Sequence, residues 1–376
     1  MNYCSIIDRY GRKCLLSNME MPDTFCVFTA QILSFYLLEC IYKLNSQIIY
    51  HMILKFFPLT KLSLVKNILS LSLFCYSLIS CSSQGYDNEN IPIVYHLNNS
   101  LPSGDTLRIL AIGNSYTEDA TAYINDIVSE SNIDRNKLGV YVAAIGGASL
   151  QTWAETYETE KEVRLTQKTG NIIMKNKGSL KELLAQNWDI ITLQQVSTQS
   201  TDFNTFNPWL SKLLTYIEKD CLNPKVTLAW QMAWSYWTGY GTMPYGEMRY
   251  RMICEAVKEQ IKKNGIDIII PIGTALENAR STSLQTPHDL TRDGTHLSFG
   301  TGRYIAACTW YESLIAPVFG ETILYNTATH VVTQKEKDAS KYDTVDVNET
   351  NSLLCQLCAI YAIKQPFKRT TPKEQT

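Results

Sequence analysis

From Thr106 onward the chain alternates short, densely apolar runs with longer stretches in which apolar residues recur at three- and four-residue spacing. The short runs, rich in Ile, Leu and Val and closed by glycine or polar residues, read as buried strands; the longer stretches read as amphipathic helices. Strands are predicted over residues 107–112, 138–145, 188–193, 225–230 and 266–270, and helices over 119–131, 179–186, 208–219, 245–263 and 302–314. Residues 163–174 read as an insertion in which Gly170-Asn171 can turn a hairpin. Strands separated by helices predict a three-layer α/β/α sandwich, flavodoxin-like, on a five-stranded parallel sheet ordered 2-1-3-4-5. This domain spans 105–325, with a C-terminal extension over 326–376 made of one helix and a polar tail.

The start of the chain has a different character. Residues 61–81 run from lysines through an apolar core to Leu78-Ile79-Ser80-Cys81, the layout of a secretory signal. The last four of these residues resemble a bacterial lipobox, which implies lipidation of Cys81, an anchor in a membrane outside the cytoplasm, and a linker over 82–104. The apolar run is short and serine-broken for a membrane span, which is the alternative reading. Residues 1–51 precede this signal, and Met52 stands where a signal peptide would begin, so translation is expected to start there; a membrane-associated helix near residues 25–42 is the competing reading.

Composition narrows the function without naming it. The chain has 376 residues, 45% hydrophobic, with a formal net charge of −2, so no basic field favours nucleic acid. Cys355 and Cys358 form a Cys-x-x-Cys pair inside an apolar helical stretch, with no second pair or nearby histidine, and read as core thiols. His288, His296 and Asp293 lack a spaced set of further ligands, so neither a metal nor another cofactor is implied.

In a parallel α/β sheet the ligand site lies beyond the carboxyl ends of the strands. Gly113-Asn114-Ser115, Gly146-Gly147 and Gln194-Gln195 all fall there. Ser115 follows the first strand and opens a helix, where its hydroxyl and its own N–H can face one pocket; a plain helix cap is the alternative. Asp293-Gly294-Thr295-His296 precedes the last helix. A serine needs a base, and an imidazole needs a carboxylate to hold its tautomer, so Asp293 and His296 are candidate partners of Ser115, with His288 a rival histidine.

Gly-Asn-Ser after the first strand, a glycine after the second, an amide after the third and Asp-x-x-His before the last helix resemble, in order, the four blocks of the SGNH (GDSL-like) hydrolase superfamily. The segments WDIITLQQVS and DGTHLSFGTGRYIAACTWYE resemble a branch common in Bacteroidetes. The resemblance covers roughly residues 107–320. It implies a serine esterase with Ser115 as nucleophile, His296 as base and Asp293 as its partner, and an oxyanion hole of the Ser115 and Gly147 N–H groups with the Gln194 amide. A glutamine replaces the usual asparagine of the third block, and Gln195 competes with Gln194 for the role; Asn114 replaces the usual aspartate of the first block.

Candidate substrate contacts are Asn114 and Gln195 at the rim, and Trp230, Trp234 and Tyr236 from a long segment crowded with aromatic rings, Trp237, Tyr240 and Tyr245 among them. Such rings stack on sugars or hold acyl chains, or they pack the domain edge. The expected partner is an acylated glycan or a small ester, and the expected reaction is removal of acetyl or another short acyl group. A non-catalytic glycan binder and a lipase or thioesterase are the alternatives.

Overall fold

A computed structural model describes residues 106–169, 172–239, 246–266 and 268–373, and near the start two short antiparallel strands, Ile6–Ile7 and Lys13–Cys14. The signal-like segment with Met52 and Cys81, the stretch over 25–42, the linker and the Gly170-Asn171 turn lie outside the described residues. The chain divides into two units, Met1–Pro92 and Ile93–Thr376. All further elements belong to the second.

Strand β1 (Leu107–Gly113) is buried on both sides, as a central parallel strand must be: Leu107, Ile109 and Ala111 face one core, Leu110 and Ile112 the other. It leads into α1 (Ser115–Ala120) and α2 (Ile124–Ser129), then β2 (Leu138–Ala144) and α3 (Leu150–Glu158). An antiparallel pair, β3 (Glu162–Thr169) and β4 (Ile172–Ser179), precedes α4 (Leu180–Leu184) and β5 (Ile190–Leu193). The chain continues through α5 (Trp209–Asp220), β6 (Thr227–Gln231), α6 (Gly246–Gln260), β7 (Ile268–Ile270), α7 (Ile272–Ala279) and α8 (Thr301–Trp310).

The sheet has seven strands in the order β4-β3-β2-β1-β5-β6-β7, where five all-parallel strands were expected. β2, β1, β5, β6 and β7 pair in parallel. The difference lies in the insertion, which pairs antiparallel along β2 and extends the sheet. Its alternation explains this: Val163 and Leu165 turn inward, while the outer strand is exposed and carries Lys175 and Lys177, charges suited to a sheet edge, beside exposed Ile173 and Met174. Helices α1, α2, α7 and α8 cover one face, and α3 to α6 the other.

Two further differences have local causes. The helix expected over 119–131 is two helices, and it begins at Ser115 because the Asn114 side chain accepts the Tyr116 N–H and caps it. The break follows at Thr121, whose carbonyl is taken by the Lys168 ammonium from β3. The C-terminal segment is no appendage: α9 (Ala316–Phe319) and α10 (Gln334–Asp338) lead to α11 (Ser352–Lys364), which packs on α7 and α8. α11 places Cys355, Cys358, Ala359 and Ala362 in the same core as β1, so the domain does not end at 325. Nor is the polar tail loose, since Thr370 donates its N–H to Asn278 Oδ1 at 2.7 Å and Pro366 accepts from Thr274.

Burial, reinforced by Arg303 and opposed by Asp126 and Glu118, pushes the Lys168 ammonium down to about 8. The unfolded chain keeps that proton to about pH 10, so it binds more protons than the fold in the interval between, and stability there rises with pH. Wild type is therefore expected to gain stability over Lys168→Met between pH 8 and pH 10, as read from urea midpoints; parallel pH profiles would contradict this.

Candidate active site

The turn after β1 is built around Asn114. Its side-chain oxygen takes the Tyr116 N–H at 2.9 Å, and its amide donates to the Ala148 carbonyl at 3.0 Å, in the loop after β2. An aspartate could cap the helix but could not make the second bond, because an ionised carboxylate only accepts. Asn114 is 2% exposed with both ends engaged, so it joins two rim loops and does not face a substrate as expected.

Ser115, the first residue of α1, is partly exposed at this rim. Its Oγ lies 2.9 Å from His296 Nε2, and His296 Nδ1 lies 2.6 Å from Asp293 Oδ2. The other Asp293 oxygen accepts the N–H groups of Thr295 at 2.9 Å and His296 at 2.7 Å, folding the loop around the carboxylate. Burial raises the Asp293 pKa, but the His296 side chain and these two N–H groups outweigh it and hold the carboxyl well below the usual range. Asp293 is thus an anion directed at the inner nitrogen of His296. His288, the rival histidine, stacks on Tyr342 with ring centroids 4.0 Å apart and meets Trp237 edge-on.

The loop that carries His296 is gripped from several sides. A bridge between Thr291 and Leu297 closes its neck. Tyr116 Oη and Trp234 Nε1 both donate to the Thr295 carbonyl, at 2.9 and 2.8 Å, while their rings stack 3.7 Å apart. Burial drives the Tyr116 pKa far upward, so its hydroxyl stays a donor. Beneath them Asp119, 1% exposed, accepts from Arg292 Nη1 at 2.8 Å, Arg303 Nη2 at 2.7 Å and the Leu297 N–H at 3.1 Å. This carboxylate ties the Ser115 helix to both ends of the His296 loop. Sequence reading missed Tyr116, Asp119, Arg292 and Arg303, although Asp119 lies in the IGNSYTEDA segment: nothing local distinguishes it from a surface helix carboxylate.

Three donors on the rim loops after β1, β2 and β5 lack an acceptor among the described residues. The Ser115 N–H, in the first turn of a helix, makes no internal bond. Gly147, exposed and at φ +67, has its N–H equally free, and only glycine takes that left-handed conformation without strain. The third is Gln194 Nε2, buried and unpartnered. Gln195, by contrast, is 1% exposed and fully used: its oxygen accepts from Leu150 and Val196 N–H, and its nitrogen donates to Thr205. It braces loops and has no free atom for a substrate, contrary to expectation.

Two rings of the expected aromatic wall are interior. Trp230 is 1% exposed and stacks on Phe206 in the core, because it points to the face of β6 covered by α3 to α6. Trp234 is fully buried behind the His296 loop. Tyr236 is half-buried, donating to Ser197 Oγ at 3.0 Å under the Arg249 guanidinium. Tyr240 and Tyr245 lie outside the described residues.

The class defined so far is an α/β domain with helices on both faces of its sheet and a serine–histidine–aspartate hydrogen-bond chain at the carboxyl rim. The chain belongs to the family described as a domain of unknown function, DUF4886, whose profile it matches over residues 108–345. It is similar to a DUF4886 family protein from Bacteroides uniformis ATCC 8492 whose crystal structure is solved at 1.50 Å resolution. The two share 27% identity over 71% of this chain and 98% of that one, with a TM-score of 0.60. A gut microbial diltiazem-metabolizing enzyme, BT4096, aligns at 12% identity over 58% of this chain and 48% of its own, with a TM-score of 0.35, too low to define a shared fold. No curated protein matches the chain.

Removing one partner from a buried ion pair strands the other charge, at a cost of about 3–5 kcal/mol. Asp119→Asn leaves Arg292 and Arg303 facing a neutral amide and is expected to lose stability of that order in chemical denaturation. A variant within about 0.5 kcal/mol of wild type, the range of an ordinary surface change, would contradict the clamp.

Proposed function

We propose that this protein is a serine ester hydrolase of the SGNH (GDSL-like) type, which removes acetyl or other short acyl groups from carbohydrates. The observation that carries the reading is the continuous chain from Ser115 Oγ through both His296 nitrogens to Asp293, at 2.9 and 2.6 Å. In this reading His296 Nε2 takes the hydroxyl proton as Oγ attacks the ester carbonyl. Asp293, kept ionised, holds the Nδ1–H tautomer and stabilises the imidazolium that forms. His296 then returns the proton to the leaving alcohol, and water, activated by the same imidazole, releases the acid from the acyl-enzyme.

The charge on the carbonyl oxygen requires donors already in place. The N–H groups of Ser115 and Gly147 and the Gln194 amide are three whose internal bonds are unmade, which supports their assignment as the oxyanion hole. The carbohydrate part of the proposal rests on the family resemblance and on an exported, lipid-anchored protein with its mature end at Cys81. Such an enzyme would meet acylated glycans outside the cytoplasm.

The test measures acid released from aryl acetates and acetylated glycans. Ser115→Ala is expected to abolish turnover and labelling by a fluorophosphonate probe. Asp293→Asn is expected to lower kcat on the order of 10⁴-fold, as for other triads. Full turnover in Ser115→Ala, or glycan binding without turnover or labelling in wild type, would overturn the reading, the latter in favour of a binding protein.

A further inference from the structure

The Gln194 amide has one conspicuous feature: its nitrogen is buried with no acceptor, while its oxygen accepts twice, from Thr117 Oγ1 at 3.0 Å and Gln231 Nε2 at 2.5 Å. A buried donor without a partner costs about 1–3 kcal/mol, and turning the amide over would be the simplest escape. The surroundings forbid it. Gln231 sits at the end of β6, and its own oxygen accepts from the Trp310 indole Nε1 at 2.9 Å. An indole nitrogen can only donate. It therefore selects the oxygen of Gln231, which leaves the Gln231 nitrogen facing Gln194, which in turn selects the Gln194 oxygen and leaves Gln194 Nε2 as the free group. The Thr117 hydroxyl cannot set this direction alone, because it can donate or accept by rotating. The Gln194 amide carbon packs over Gly113, 3.1 Å from where a Cβ would stand, so this free donor belongs to the turn that carries Ser115.

We propose that Trp310 and Gln231 are positioning residues that hold the Gln194 amide with its N–H, and not its carbonyl, presented to the reacting centre. The inference rests on the hydrolase reading and deepens it. A one-way relay, indole to Gln231 to Gln194, runs from helix α8 across the ends of β6 and β5, and none of its first two members touches substrate. Without the indole both amides can invert together, exchanging a donor for a lone pair where negative charge develops. That exchange weakens the transition state and leaves ground-state binding alone.

The experiment is a double-mutant cycle on aryl acetate hydrolysis with Trp310→Phe, Gln194→Ala and their combination, with Gln231→Met as a second way to break the relay if Trp310→Phe unfolds. Each variant is also titrated with phenylboronic acid, which adds Ser115 Oγ to boron and so carries a tetrahedral anion. Expected are a fall in kcat on the order of 10- to 100-fold with KM within about two-fold, and an equal loss of boronate affinity. Trp310→Phe should then have no further effect in the Gln194→Ala background. Wild-type kcat in a folded Trp310→Phe or Gln231→Met, or the same loss with and without Gln194, would overturn the relay while leaving the hydrolase intact. Equal rates for wild type and Ser115→Ala would instead overturn the hydrolase reading and the relay with it.

Discussion

A single buried carboxylate, Asp119, holds the two halves of the site together. It is on α1, one turn beyond Ser115, and it gathers Arg292, Arg303 and the Leu297 N–H from the far end of the domain. Those groups bracket the loop that carries Asp293 and His296. A base 181 residues away in sequence comes within 2.9 Å of the serine because the charges beneath both are shared. Two arginines on one buried carboxylate leave that anion fully paired where water scarcely reaches it, and fix its direction, while both guanidiniums keep some exposed surface.

Above this clamp the polar groups divide by whether their bonding is complete. Asn114 and Gln195 spend every donor and acceptor inside the protein and so define the shape of the rim. Ser115 N–H, Gly147 N–H and Gln194 Nε2 spend none. A buried donor without a partner is uncommon in folded proteins, so Gln194 Nε2, on a rim loop like the open N–H groups of Ser115 and Gly147, is the strongest local argument for a site that receives negative charge. Behind them the stacked Tyr116 and Trp234 fix the Thr295 carbonyl, so the imidazole next to it is positioned by the core and not by a free loop.

Part of the aromatic richness in and just after β6 is thereby explained as packing. Trp230 and Trp234 are interior on opposite faces of the sheet, one under α3 to α6 and the other against the Ser115 helix. Their spacing in the chain carried no sign of this, since an aromatic ring has the same sequence signature in a core and on a sugar platform. The insertion was similarly ambiguous: a hairpin can stand alone or join a sheet, and only the unpaired edge of β2 decided which.

The strand and helix alternation and the glycines and amides at strand ends were legible in the chain because they follow from local periodicity and turn chemistry, while the order of Ser115, Gly147, Gln194 and Asp293-x-x-His296 was legible through its resemblance to the SGNH blocks. Periodicity also showed α11 as a helix, though not that it completes the core. What folding in three dimensions alone decided was the choice between neighbours of identical chemistry. Gln194 is distinguished from Gln195, and Asp119 from any exposed acid, by partners at sequence separations of 37 and 173 residues. A hydrogen bond over such a distance has no local periodicity to betray it, since it exists only once the sheet has brought both residues to one edge.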